Sequence, residues 1–305
     1  MAKISLLKPT ELYNLLNRSQ GSSSRLAEVN YLYLMDARET QDYNTSHIIT
    51  AKEAKTDAEG TFLLSEWVEV GGMQHVVIYD NNTSSIQQQG RAVDCARVLS
   101  KASVCPVHIL DGGFQRFSAL YSFLRSEKIL FTIMELENLR VYPVEILPGL
   151  LYMGDLNQGA DDCVLNDLKI NALINITETD SLKSISLRGR SLLNVFVEDS
   201  VESDLYTSFE KMCDFISSHI ELGSRVLIVS RRGRSRCSTA SIAFLMRHLS
   251  YTLEEAWRHT LKCKPLMRPN TGFIHQLSEW EMHTKGEKLT DISEPFLFNA
   301  MKEMK

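Results

Sequence analysis

Two α/β domains, each built on a parallel sheet, are the architecture that this 305-residue sequence predicts. Three observations support it. Short apolar runs at Tyr31–Met35, Val76–Tyr79, Val107–Leu110, Ala172–Ile176 and Val226–Val229 have the length and composition of buried strands. Helical spacings lie between and after them, at Ala92–Leu99 and in the stripe Ala240, Ile242, Ala243, Leu245 and Met246. Strands that alternate with helices pair in parallel and carry helices on both faces. The third observation is the segment Ser126–Tyr142, mixed in charge and without a period, which divides the chain into domains at 5–126 and 143–284, a linker at 127–142 and a tail at 285–305.

Composition narrows the class. A hydrophobic fraction of 44% and a charged fraction of 23% are those of a soluble globular protein. No apolar run approaches the ~18–20 residues that cross a bilayer, so no membrane association is expected. A net charge of −5 gives no general reason for direct nucleic-acid binding. The six cysteines, at 95, 105, 163, 213, 237 and 263, form no C-x-x-C pair, which argues against a metal site or a disulfide framework and for a reducing compartment. No cofactor is expected. Residues 1–25 carry Lys3, Lys8, Arg18 and Arg25 against Glu11, a composition shared with mitochondrial transit peptides. The favoured reading is an ordinary helix, Glu11–Leu16, with Thr10 as its N-cap. Cytoplasm is therefore the expected location, with the mitochondrion as the alternative.

In the first half, Asp36-Ala37-Arg38 follows the first apolar run, Ser46-His47-Ile48 comes next, and Gly112-Gly113-Phe114 follows the third. This order resembles a rhodanese-like domain over roughly residues 5–126, of the kind that precedes the catalytic domain in mitogen-activated-protein-kinase phosphatases. The resemblance implies that Asp36 and Arg38 form a fold-supporting ion pair and that His47 is a hydrogen-bonded structural histidine. It also implies that a catalytic cysteine would head the loop after Val76–Tyr79. Asp80 stands there instead. A carboxylate cannot carry sulfur and repels an anionic substrate, so this pocket is read as silent. The related phosphatases dock kinases through an arginine cluster after the Ser-His-Ile segment. Here Ala51–Glu59 holds Lys52 and Lys55 against Glu53, Asp57 and Glu59, and kinase docking is not expected.

The second half opens with Glu145–Gly154, a helix around Asp162–Leu168 and the strand Ala172–Ile176. A helix beginning near Leu205 presents Phe209, Met212, Phe215 and Ile216 to the core. Val226–Val229 then runs into the loop Ser230–Arg236, with Gly233 at its middle, and into a helix. Strand, loop and helix N-terminus make an anion site: the amides point inward, the helix dipole adds partial positive charge, and Arg236 can grip a phosphate with two parallel hydrogen bonds. Arg231, Arg232, Arg234 and Arg236 are a local exception in an acidic protein. The candidate phosphate-binding set is therefore Ser230, Arg231, Arg232, Gly233, Arg234, Ser235 and Arg236. A further helix at Leu253–Leu261 and a last one capped by Asn270 or Thr271 complete the domain.

The loop resembles the signature of cysteine-dependent protein phosphatases, His-Cys-five residues-Arg-Ser/Thr, and residues 143–284 resemble a dual-specificity phosphatase domain. Gly233, Ser235 and Arg236 fit the signature. Ser230 replaces the nucleophilic cysteine and Val229 the histidine before it. The family mechanism needs a thiolate, which the loop stabilises below the free thiol pKa of about 8.5. A serine hydroxyl ionises far less readily, and Val229 offers no base to assist it. Asp199, in Val195-Phe196-Val197-Glu198-Asp199, matches the general acid of active members. With no nucleophile, capping of the helix near Leu205 or contact with a ligand is the expected role. Cys237 follows Arg236, points away from the loop centre and reads as a small buried cysteine.

An inert rhodanese-like domain beside a dual-specificity domain with serine for cysteine resembles the pseudophosphatases of the serine/threonine/tyrosine-interacting type. That resemblance implies no catalytic residue and regulation by binding phosphorylated proteins or other phosphatases. It further implies roles in stress-granule assembly, through a granule scaffold, and in restraint of a mitochondrial phosphatase. Two alternatives stay open: a scaffold that binds through other surfaces, and a very weak serine-dependent phosphatase. The tail, with Phe296, Leu297 and Phe298, either frays or docks on a partner.

Overall fold

Val76, Val77, Ile78 and Tyr79 are each fully buried, because the strand His75–Tyr79 is paired on both edges and covered on both faces. Around it, in a computed structural model that describes residues 2–20, 23–63, 70–130, 132–179 and 189–293, the chain divides into two compact units, Met1–Val141 and Tyr142–Lys305. The first unit has a five-stranded parallel sheet in the order Ile4–Leu7, Val107–Leu110, His75–Tyr79, Leu32–Asp36, Lys52–Glu53. The two outer strands escaped the sequence reading because neither has a long apolar run. Alternation along the central strand sends Val76 and Ile78 against Ala92, Ala96 and Leu99 of the helix Arg91–Ala102. Away from that cluster, Tyr13 of the helix Pro9–Leu16 stacks on Tyr121, just past the helix Gly113–Leu120, at 4.5 Å.

Pro9, not Thr10, sets the start of the first helix. Proline at the first helical position has its φ already suited to the helix and lacks an N–H that would go unpaired there. Lys8 is the N-cap residue, and its amide donates to Glu11 Oε2 at 2.9 Å. The segment read as an aperiodic linker contains a helical turn, Ile133–Glu137, closed by a capping box between Thr132 and Glu135. Phe296, Leu297 and Phe298 lie outside the described residues. The chain just before them is anchored: buried Glu281 accepts from the amides of Leu289 and Thr290 and from the Thr290 hydroxyl.

Asp36 and Arg38 form the expected pair, deep in the first unit. Arg38 Nε and Nη2 reach the Asp36 carboxylate at 2.9 and 2.6 Å, Nη2 also donates to the Ser46 carbonyl at 2.6 Å, and the guanidinium lies 3.8 Å from the centre of the Phe114 ring. His47 is buried, stacks on Tyr43 and shares a hydrogen bond with the Tyr43 carbonyl. Lys55 pairs with Glu53, so the short basic run is partly neutralised within itself.

His75 supplies a pH dependence for this unit. Burial, helped by Arg18 and Arg25, lowers its pKa to about 4. The unfolded chain therefore binds a proton near pH 6.5 that the folded chain refuses until about pH 4. Stability from this group is full above pH 6.5 and falls as pH drops toward 4, by roughly 2 kcal/mol after allowing for partial exposure. Chemical denaturation across that range is expected to show the loss in wild type and a flatter profile in His75→Gln.

The second unit has the sheet order Val144–Leu147, Leu151–Asp155, Arg225–Ser230, Ile170–Thr177, Ser191–Phe196, with only the first pair antiparallel. Arg225–Ser230 is central. The helix that follows, Arg236–His248, is buried on every side from Arg236 to Met246, so its stripe of apolar residues understated its position. Small residues let its neighbours approach, and its buried hydroxyls at Ser238, Thr239 and Ser241 donate to carbonyls four residues back. Helices Phe209–Glu221, Leu253–Cys263 and Thr271–Lys285 pack around it. A 3-10 turn, Tyr206–Ser208, precedes the first of these. On that helix Phe215 is half-buried and Cys213 takes a core place beside Phe209, Met212 and Ile216.

Candidate functional site: a loop at the end of the central strand

The carboxyl end of a central parallel strand is where open α/β sheets place ligands. Ser230 ends that strand, in register with Asp155 on one neighbour and Ile176 on the other, so the loop Ser230–Arg236 rises between two supporting strands. Gly233 makes the turn possible. Its φ is +60°, and a Cβ there would lie 2.8 Å from the Gly154 carbonyl. Its amide bonds back to the Ser230 carbonyl at 3.1 Å. The amides of Arg231, Arg232, Arg234, Ser235 and Arg236 have no acceptor among the described residues.

Arg236 lies under the loop, with 3% of its side chain exposed. Nη1 donates to Glu178 Oε1 at 2.9 Å and to the Val197 carbonyl at 2.8 Å. Nε is buried and has no partner among the described residues. One side of the guanidinium is thus fixed and another donor is left over, which suits an oxyanion above it. Glu178 was missed by the sequence reading. Its own backbone amide, then Arg236 and Arg231, hold its carboxyl below the ordinary glutamate range. The available signal was its place just past the end of a buried strand next to the loop strand.

Asp199 does not cap the following helix; Asp204 accepts from the Thr207 amide near that start instead. Asp199 Oδ1 accepts from Ser235 Oγ at 2.6 Å and from Asn270 Nδ2 at 3.0 Å. Long-range packing brings the acid loop beside residue 235, which no local capping rule could indicate. Asn270 is the N-cap of the last helix, accepting from the Phe273 amide, and also donates to the Ser200 carbonyl. It therefore ties helix, acid loop and phosphate-type loop together.

Ser230 is 2% exposed and Val229 is buried beneath it against Gly159. The Cys237 thiol is in hydrogen-bond contact with Ser230, and full burial pushes that thiol upward, so it is a neutral sulfur. The pair reads Ser230 and Cys237 where the phosphatase signature has cysteine and a hydroxyl residue. Neither neighbour can take a proton from the Ser230 hydroxyl.

Asp80 heads the corresponding loop of the first unit and turns inward. Its oxygens accept from the amides of Asn82, Thr83 and Ala92 and from the Thr83 hydroxyl at 2.7–3.2 Å. The loop's donors, including one at the N-terminus of helix Arg91–Ala102, are satisfied by the chain's own carboxylate. Gly113 closes over it at φ +54°; a Cβ there would lie 2.4 Å from the Asp80 carbonyl.

Comparison with known proteins agrees with this architecture. Residues 9–120 match the rhodanese-like domain family and residues 151–283 the catalytic domain family of dual-specificity phosphatases. Human dual specificity protein phosphatase 16 is 27% identical over 276 residues, 83% of this chain and 41% of its own length. Putative tyrosine phosphatase 123R of invertebrate iridescent virus 6 is 31% identical over 139 residues, 46% of this chain and 92% of its length. A rhodanese domain-containing phosphatase of Dictyostelium discoideum is 28% identical over 61% of this chain and 39% of its length. The chain thus spans about two-fifths of the length of the human and the Dictyostelium relative. Among solved structures, the human tyrosine phosphatase-like serine/threonine/tyrosine-interacting protein is 26% identical over 46% of this chain and 95% of its own, with a TM-score of 0.42.

Proposed function

The chain belongs to the dual-specificity phosphatase family, and on that premise we propose that it holds a phosphorylated residue of a partner protein in the Ser230–Arg236 loop without hydrolysing it. The observation that carries this reading is the mismatch between donors and nucleophile. Five loop amides and Arg236 Nε are unspent among the described residues, while the atom placed to attack is a serine hydroxyl flanked by Val229 and the neutral Cys237 thiol. Phosphate monoesters are among the slowest uncatalysed hydrolyses, so a site lacking its nucleophile binds and does not turn over. Asp199, held by Ser235 and Asn270, then braces the loop. The partners are phosphoproteins or other phosphatases, and the rhodanese-like unit contributes no sulfur transfer because Asp80 fills its own loop. Stress-granule assembly and restraint of a mitochondrial phosphatase are settings that the likeness to pseudophosphatases suggests.

Arg236→Ala is expected to weaken capture of immobilised phosphopeptides by tenfold or more, since a charge-assisted hydrogen bond is worth about 1.5–3 kcal/mol. Equal capture by wild type and variant would assign binding to other surfaces. Phosphatase activity in wild type that Ser230→Ala abolishes would replace the reading with a weak serine enzyme.

A further inference from the structure

We propose that the loop is built for a phosphoresidue with acidic residues on both sides of it in an extended chain, a reading that rests on the phosphate-binding function above. The protein uses its arginines in two different ways. Away from the loop many are paired with carboxylates, as in Arg38 with Asp36, Arg91 with Glu39, Arg190 with Asp162 and Arg247 with Asp214. At the loop, Arg231, Arg232, Arg234 and Arg268 are exposed, and their side chains make no ion pair or hydrogen bond with the described residues. Three carboxylates nearby are engaged elsewhere: Glu178 with Arg236, Asp199 with Ser235 and Asn270, Asp155 with the Gln158 amide.

The four cations also straddle the site. Arg231 is near enough to Glu178 to act on it electrostatically. Arg234 lies with the segment before the last helix, its carbonyl accepting from the Arg268 amide at 2.7 Å. Arg236, which would take the phosphate, belongs to the same loop and is buried beneath it. Unpaired like charges crowded together repel, and a segment bearing carboxylates relieves that repulsion on binding. A lipid headgroup could use the same cations. The burial of Ser230 and Arg236, 2% and 3% exposed, favours a side chain over a flat surface, and positive charge on two sides matches residues before and after the phosphoresidue.

The test is fluorescence anisotropy on the full chain with three peptides, in phosphotyrosine and phosphothreonine versions: a phosphopeptide flanked by Asp and Glu, one flanked by Ser and Gln, and the acidic peptide without phosphate. Vesicles of phosphatidylcholine with phosphatidylinositol bisphosphate form a fourth arm. The acidic-flanked phosphopeptide is expected to bind about tenfold tighter than the neutral-flanked one at low salt, an advantage that shrinks as salt rises. The combined Arg231→Ala, Arg232→Ala, Arg234→Ala variant is expected to bring that ratio close to one. Arg232→Gln alone, the backup should the triple variant misfold, should lower it partway. Equal affinity of wild type for both phosphopeptides, or a ratio unchanged in a folded variant, overturns the flanking proposal while leaving phosphate binding intact. Phosphopeptides that bind no better than the unphosphorylated acidic peptide overturn phosphate binding itself. Vesicles preferred over every peptide replace the peptide with a lipid headgroup.

Discussion

Val229→His with Ser230→Cys is expected to give phosphatase activity on the order of 10³-fold or more above wild type, read with a small aryl phosphate. The expectation rests on the proposed phosphate site. The loop amides and the Arg236 guanidinium would lower the pKa of a thiol at 230 and hold the phosphoryl group above it. Asp199 sits against the loop through Ser235, so a carboxylate is at hand beside the site. Two features limit the gain. Val229 is fully buried, and Gly159 leaves little space beside it: a Cβ on that glycine would lie 2.9 Å from a Val229 methyl. A larger histidine there overpacks the site by about 1–3 kcal/mol. Cys237 touches position 230 and cannot stabilise a departing thiolate as a hydroxyl does, so adding Cys237→Ser should raise activity further. A folded triple variant that remains at background would mean the loop does not adopt a phosphate-cradling shape.

Arg38→Met is expected to destabilise the first unit by about 3–5 kcal/mol, because it leaves the Asp36 carboxylate charged, buried and unpaired. The side chains of both partners are almost wholly buried, at 4% and 0% exposure, and the arginine also holds the Ser46 carbonyl. Adding Asp36→Leu should recover much of the loss, since two apolar residues no longer strand a charge. Hydrogen exchange of the amides in His75–Tyr79, followed in the full chain, reports on this unit directly. A loss below about 1 kcal/mol would mean that water reaches the pair and screens it.

The two halves, the inner parallel strands and the loop were legible in the sequence, because each has a local signature. A buried strand of a parallel sheet reads as a continuous apolar run, and Val226–Val229 does so. A tight turn onto a helix N-terminus demands a glycine, and Gly233 supplies it. The serine in place of the signature cysteine needs no coordinates to be seen, and its consequence is intrinsic to the hydroxyl. The Asp36–Arg38 pair was expected from the resemblance to rhodanese-like domains, not from any local period.

What only the tertiary structure decided is which distant groups complete the site. Glu178 against Arg236, Asp199 against Ser235, and Asn270 against Asp199 join positions 36 to 71 residues apart, and no period or capping rule encodes such meetings. The inward turn of Asp80 onto its own loop is similar: the residue was visible, but its capture of the Ala92 amide, and the close approach of Gly113 from the end of the neighbouring strand, were not. Local sequence determines backbone conformation and chemical type over a few residues. The pairing of charges depends on how the sheet order and the packed helices bring separate loops together.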